Sequence, residues 1–166
     1  MTTSENKTNV LRQMFPGMGQ EDMDEFANVA QVRAYPPDTI LCHEGRVEET
    51  FYAIVSGQVE VTKQLDKDTQ KVINCPGPGD FVGEIALVQK GPRTATVRTI
   101  EPTTVIEIGH DDFVSMLSRS AAMAVRIMLQ ITPRLRDIDQ STIAHLRQKN
   151  AELTQAYQEL EEKNKL

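Results

Sequence analysis

Apolar and polar positions in this chain follow three successive periods. From Val10 to Ala30 the spacing is helical. Val10, Leu11, Met14 and Phe15 share one face, Pro16-Gly17 breaks the run, and Met23, Phe26, Ala27 and Ala30 resume it. From Val32 to Ile108 the pattern shortens to alternating runs bounded by turn residues. Strands are predicted over residues 32–35, 39–42, 50–55, 58–63, 71–75, 94–100 and 104–108. Asp66-Lys67-Asp68 marks a hairpin tip between two of them. After His110 the helical period returns. Asp111 or Asp112 is the expected cap of a short helix carrying Phe113, Met116 and Leu117. A second helix starts near Ser120 with Met123, Ile127, Met128 and Ile131, and Pro133 is expected to interrupt or bend it. Met116, Met123 and Met128 read as core packing.

The last segment changes period again. Leu146, Leu153 and Leu160 recur every seven residues, with Ile143, Asn150, Tyr157 and Asn164 at the matching offset. These are the d and a positions of a coiled coil. Asn150 at an a position favours an in-register parallel pair at some cost in stability. A homodimer through Ile143, Leu146, Asn150, Leu153, Tyr157 and Leu160 is therefore expected. The alternative is an amphipathic helix lying on its own domain. The stretch from Glu159 to Leu166 keeps its helical pattern without a stop signal, so the polypeptide is expected to continue into an output domain.

The fold class that emerges is α+β: an antiparallel, jelly-roll-like β-roll with flanking helices and a C-terminal coiled-coil helix. The expected organisation is a disordered N-terminus over 1–9, a ligand-binding domain over 10–133 and a dimerising helix over 134–166. The chain of 166 residues is 39% hydrophobic, enough for one ordinary core. Its net charge of −6, with no basic patch, argues against a nucleic-acid partner for this chain. The polar N-terminus and the lack of any long apolar run predict no membrane association and a cytoplasmic protein, consistent with two unpaired cysteines, Cys42 and Cys75.

The chemistry concentrates in Phe81-Val82-Gly83-Glu84-Ile85-Ala86-Leu87 and Gly91-Pro92-Arg93-Thr94-Ala95-Thr96. Gly79 and Gly83 allow a tight backbone approach to a ligand. Residues 84–87 read as a single helical turn whose first amides attract anions. Arg93, at the start of the next strand, has the planar fork that suits a phosphate, and Thr94 adds a hydroxyl. Glu84 can accept hydrogen bonds from a sugar hydroxyl. One carboxylate, one arginine and a nest of amides make a site for a phosphorylated sugar.

This stretch closely resembles the phosphate-binding cassette of the cyclic-nucleotide-binding domain family, which reads Phe-x-Gly-Glu-(Ile/Leu)-Ala-Leu, a spacer, then Pro-Arg-(Ala/Thr)-Ala-Thr. The resemblance covers most of residues 10–133, including the Glu44-Gly45 turn, the Phe51 to Val59 strand-turn-strand and Pro78-Gly79-Asp80-Phe81. It implies that Glu84 accepts the ribose 2′-hydroxyl and that Gly83 lets the ribose approach. Ile85 and Ala86 would offer amides to the cyclic phosphate, with Ala95 beside them in the motif. Arg93 would pair with the phosphate charge, and Thr94 would serve phosphate or base. The family usually has glycine where Asp38 stands. The implied ligand is cAMP or cGMP. Thr94 and Asn74 hint at guanine, and the base cap is expected from Arg134, Leu135, Arg136 or Ile138.

Other constellations fall short. Cys42-His43, Cys75, His110 and His145 do not reach a metal-ligand count at any standard spacing, so no metal and no cofactor beyond the nucleotide is expected. A Ser-His-Asp arrangement, a P-loop and a paired-carboxylate motif are all missing, which argues against an enzyme. The rival reading is a dimeric transcription regulator of the catabolite-activator type without its helix-turn-helix. A third is a degenerate roll that binds another effector or serves only as a dimerisation scaffold.

Overall fold

The computed structural model describes residues 3–84 and 90–164, with side chains left out at 3–6, 134, 135, 137, 138, 141 and 164. The chain divides into two units, 1–131 and 132–166.

The first unit opens with two helices, α1 (Thr3–Met14) and α2 (Gln20–Val29). Eight strands follow: β1 (Gln31–Tyr35), β2 (Ile40–Cys42), β3 (Thr50–Ser56), β4 (Val59–Gln64), β5 (Gln70–Asn74), β6 (Phe81–Val82), β7 (Thr96–Thr99) and β8 (Thr103–Gly109). Helices α3 (His110–Arg119) and α4 (Ala121–Asn164) complete the order. The strands form two four-stranded antiparallel sheets, ordered β1-β8-β3-β6 and β2-β7-β4-β5. Antiparallel sheets with flanking helices and a long C-terminal helix match the α+β roll that the periodicity predicts.

Strand alternation explains two hydrophobic cores. Successive side chains of a strand point to opposite faces. Along β3, Tyr52 and Ile54 join Leu41, Cys42, Val59, Val82, Val97 and Val105 between the sheets. The intervening Phe51 and Ala53 join Phe81, Ile106 and Ile108 on the opposite face. There they meet Leu11, Met14, Phe15, Met23, Phe26, Phe113, Met116, Met123 and Ile127 of the helices. β3 is therefore covered on both sides, which accounts for its unbroken apolar run. Phenylalanines stitch this second core. Phe15 packs edge-on to Phe26 at 5.5 Å and stacks on Phe81 at 6.1 Å, while Phe51 lies 5.4 Å from Phe81 and 4.7 Å from Phe113.

Turn chemistry sets the registers. Gly57, at φ +84°, links β3 to β4, and a Cβ there would overlap Pro102 and Thr103. Asp66 caps the β4–β5 tip, its Oδ1 accepting the amides of Asp68 and Thr69 at 2.9 Å each. Asp38 occupies the left-handed region at φ +62°, a conformation that aspartate tolerates better than most residues and glycine best.

α1 begins at Thr3, and Lys7 Nζ donates from it to the Ala30 carbonyl at 3.0 Å. Several expectations are corrected. Gly109, not Asp111 or Asp112, stands at the cap of α3, and the two aspartates lie in the first turn, where the helix dipole favours them. The two-residue strand β6 was read only as part of the cassette. Arg93 lies in the loop before β7, which begins at Thr96 instead of 94. Helix α4 runs through Pro133 without interruption. Met116 and Met123 are buried but Met128 is exposed, because it faces away from the core reached by Met123 and Ile127.

The second unit is helical. Ile143, Leu146, Leu153, Tyr157 and Leu160 are all exposed on it.

Phe51→Ala is expected to lower the unfolding free energy in urea denaturation by about 3–5 kcal/mol. Val114→Ala, at an exposed position of α3, should change it by less than about 0.5 kcal/mol.

Candidate functional site

Three segments converge on one guanidinium: the turn after β2, the start of β3 and the loop between β6 and β7. The loop is fastened to the turn through the backbone. Gly45 N donates to the Arg93 carbonyl at 2.9 Å, and Arg93 N donates to the Arg46 carbonyl at 2.8 Å. The turn itself is held by Glu44, whose Oε2 accepts Gln64 N at 2.8 Å and whose Oε1 lies 3.5 Å from Lys63 Nζ. Lys63 also donates to the Thr94 carbonyl at 2.8 Å, which joins β4 to the same loop.

The Arg93 side chain enters the protein from this frame and is 2% exposed. Nη1 donates to the Gly83 carbonyl at 2.7 Å, and Nη2 donates to the Thr50 carbonyl. Nε is buried without a hydrogen-bond acceptor among the described residues, and Glu48 Oε2 stands 3.5 Å from it. A buried charged donor in this condition is costly unless an anion meets it. Gly83 adopts φ +90°, and a Cβ there would lie 2.7 Å from Arg93 Nη1 and 3.0 Å from the Thr50 carbonyl. Glycine is thus required twice, by the backbone angle and by the guanidinium packed on it.

Glu84 is 1% exposed. Burial pushes the Cys42 thiol up to about 12; the Arg93 charge opposes this, and the Glu48 and Glu84 charges add to it. On the preceding loop, Asp80 Oδ2 accepts Gly77 N at 3.1 Å and Oδ1 accepts Gln130 Nε2 at 3.2 Å. The Asp80 carbonyl accepts Ile54 N at 2.8 Å.

Of the residues singled out in the sequence, Gly83 and Arg93 meet directly, Glu84 is buried next to Gly83 in the chain, and Thr94 and Ala95 follow on the loop, half-buried and buried. Ile85 and Ala86 lie outside the described residues, as do the side chains of Arg134, Leu135 and Ile138. Asn74 is half-buried at the end of β5, paired with Val61. Arg136 is exposed on the second unit. Glu48 and Thr50 escaped the sequence reading, since nothing in Val47-Glu48-Glu49-Thr50 distinguishes a counter-ion or a carbonyl anchor from an ordinary strand entry. A cavity of 310 Å³ is lined by Glu48 together with Val47, Glu49, Lys90, Gly91, His110 and Asp111, and Gly83 and Arg93 are not among its lining residues. Among the described residues no cluster of metal-ligating side chains occurs, and no helix is long and apolar enough to cross a membrane.

The model of the cyclic nucleotide-binding domain matches residues 32–120, a span that contains every element of this frame. The chain belongs to the cyclic nucleotide-binding domain family. Among relatives, the cAMP-activated global transcriptional regulator of Escherichia coli O6:H1 is 30% identical over 125 residues, covering 74% of this chain and 60% of its own length. The cAMP-dependent protein kinase regulatory subunit of Yarrowia lipolytica is 32% identical over 100 residues, covering 60% of this chain and 26% of its own. The regulatory domain of Toxoplasma gondii PKA, solved with cAMP, superimposes with a TM-score of 0.63 at 29% identity, over 68% of this chain and 44% of that one. This chain of the family therefore spans less than two thirds of the bacterial regulator it resembles.

Titration of the folded protein with an aromatic disulfide at pH 8 should modify the exposed Cys75 alone, with Cys42 reacting only after denaturation. Prompt labelling of both thiols in the native protein would contradict the burial described.

Proposed function

We propose that this chain is a regulatory sensor module that binds cAMP or cGMP and signals through its C-terminal helix. The observation that carries the reading is Arg93: buried, gripped by the Gly83 and Thr50 carbonyls, with Nε lacking an acceptor at the position where the family motif carries its phosphate-binding arginine. The five donors of a guanidinium exceed the two carbonyls that fix it, so donors remain for a phosphate. Gly83 permits close approach of the sugar, and buried Glu84 is assigned to the ribose 2′-hydroxyl. Ile85 and Ala86 are assigned to the phosphate through their amides, and Thr94 and Ala95 to the same wall. Asn74, Arg134, Arg136 and Ile138 remain the proposed base contacts. The relatives named above are a transcriptional regulator and a kinase regulatory subunit, which supports a binding module in place of an enzyme.

The ligand signals only if it prefers one arrangement of the module. The loop ahead of the cassette offers a route, because Asp80 bonds both Ile54 of the central strand and Gln130 of α4. The proposed output is a parallel homodimer through Ile143, Leu146, Asn150, Leu153, Tyr157 and Leu160, in a cytoplasmic protein, with residues 10–133 as the binding domain and 134–166 as the dimerising helix. The exposed stripe supports it. Val125 and Leu129, also exposed, keep the heptad offsets of Leu146 and Ile143 further upstream. A second reading, the ligand-binding part of a catabolite-activator-type regulator, is favoured by the similarity to the Escherichia coli protein. A gel shift on random DNA tests the chain itself, which should leave DNA unshifted; a shift would count against the sensor reading.

Calorimetric titration with cAMP and cGMP side by side should give saturable binding. Arg93→Ala should weaken it by about 2–5 kcal/mol, as expected when one partner of a buried charge pair is removed; a change below twofold would overturn the assignment. Leu146→Glu combined with Leu153→Glu should convert a dimer to a monomer in analytical ultracentrifugation while leaving nucleotide affinity within about threefold.

A further inference from the structure

The electrostatic balance at Arg93 runs against an anionic ligand. One guanidinium faces Glu48 directly, and the Cys42 thiol beside it senses Glu84 as well as Glu48. A cyclic phosphate, itself singly negative, therefore approaches a guanidinium that already faces a carboxylate.

The placement of Glu48 is specific. Its Oε2 accepts His43 N at 3.3 Å, its Oε1 lies 3.5 Å from His43 Nδ1, and its Oε2 lies 3.5 Å from Arg93 Nε. The first contact anchors the carboxylate to the backbone after β2 without help from Arg93. The last is an ion pair without a hydrogen bond, since Nε still lacks an acceptor. Glu48 thus sits close enough to neutralise the guanidinium and too far to satisfy it. Its side chain is 27% exposed, so it has water into which to withdraw. A phosphate oxygen meeting Nε would make the hydrogen bond that Glu48 does not.

We propose that Glu48 is a built-in counter-ion of Arg93 which an incoming cyclic phosphate displaces, and that it lowers the affinity of the site. The inference rests on the cyclic-nucleotide reading and adds a residue that sets the strength of binding. Glu48 acts through Arg93 as a positioning residue. In the free protein it compensates the buried charge. In the complex it opposes the phosphate that takes over that task. Glu49, next in the chain and exposed, has no such contact with Arg93 among the described residues and supplies the control for net charge.

The test compares the whole chain with Glu48→Gln and Glu49→Gln, using cAMP and cGMP as probes in calorimetry and thermal unfolding with and without nucleotide. Glu48→Gln should bind about three- to tenfold more tightly than the parent. Its ligand-free form should melt about 3 °C or more lower, and nucleotide should raise its midpoint by more than it raises that of the parent. Glu49→Gln should match the parent in all three readings. Binding by Glu48→Gln that equals or falls below the parent, or a ligand-free midpoint equal to that of Glu49→Gln, overturns the inference while leaving the cyclic-nucleotide reading intact. Failure of parent and variant alike to bind either nucleotide removes both.

Discussion

A buried guanidinium is the constraint around which the site of this protein is organised. Arg93 is withdrawn from water, and a charge so placed must find polar partners in the protein. The partners are main-chain carbonyls of Gly83 and Thr50. Each imposes a condition on the fold. The first requires a glycine in the left-handed region with space for the guanidinium against its Cα. The second requires that the start of the central strand lie under the cassette. The ladder between Gly45, Arg46 and Arg93 fixes where the side chain enters. The arginine is thus a structural cross-link among three segments as well as the group proposed to meet a phosphate.

The two cores explain how this polar arrangement is kept rigid. The strand that offers the Thr50 carbonyl continues directly into Phe51 and Tyr52, which belong to opposite cores. The strand that leads to Gly83 consists of Phe81 and Val82, again divided between the two. Carbonyls that hold Arg93 are therefore carried by backbone whose side chains are packed on both faces. Such packing resists displacement because each shift disturbs close contacts on two sides.

Much of this was legible in the sequence, for identifiable reasons. The roll shows itself in short alternating runs with turn residues between them, and the cassette in the pairing of Gly83-Glu84 with Arg93-Thr94. Asp38 adopts the left-handed region, which aspartate tolerates better than most residues. What escaped was decided by tertiary contact. Glu48 and Thr50 matter because of where Arg93 points, which no local pattern records. Lys7 of α1 reaches the Ala30 carbonyl just past the end of α2, a contact no local pattern records. Strand β6 is too short to show a period, and Met128 follows Ile127 closely enough that helical spacing alone does not tell the inward side chain from the outward one.

Asp80 carries a consequence of its own. One residue meets three separate neighbours: its carbonyl holds Ile54, one carboxylate oxygen holds Gly77, and the other holds Gln130. It works as a three-way rivet on the loop between β5 and β6, joining that loop to the sheet and to the helix. Because the helix bond ends on a long, half-buried glutamine side chain and the sheet bond ends on the main chain of a doubly buried strand, the helix is the softer side of the joint.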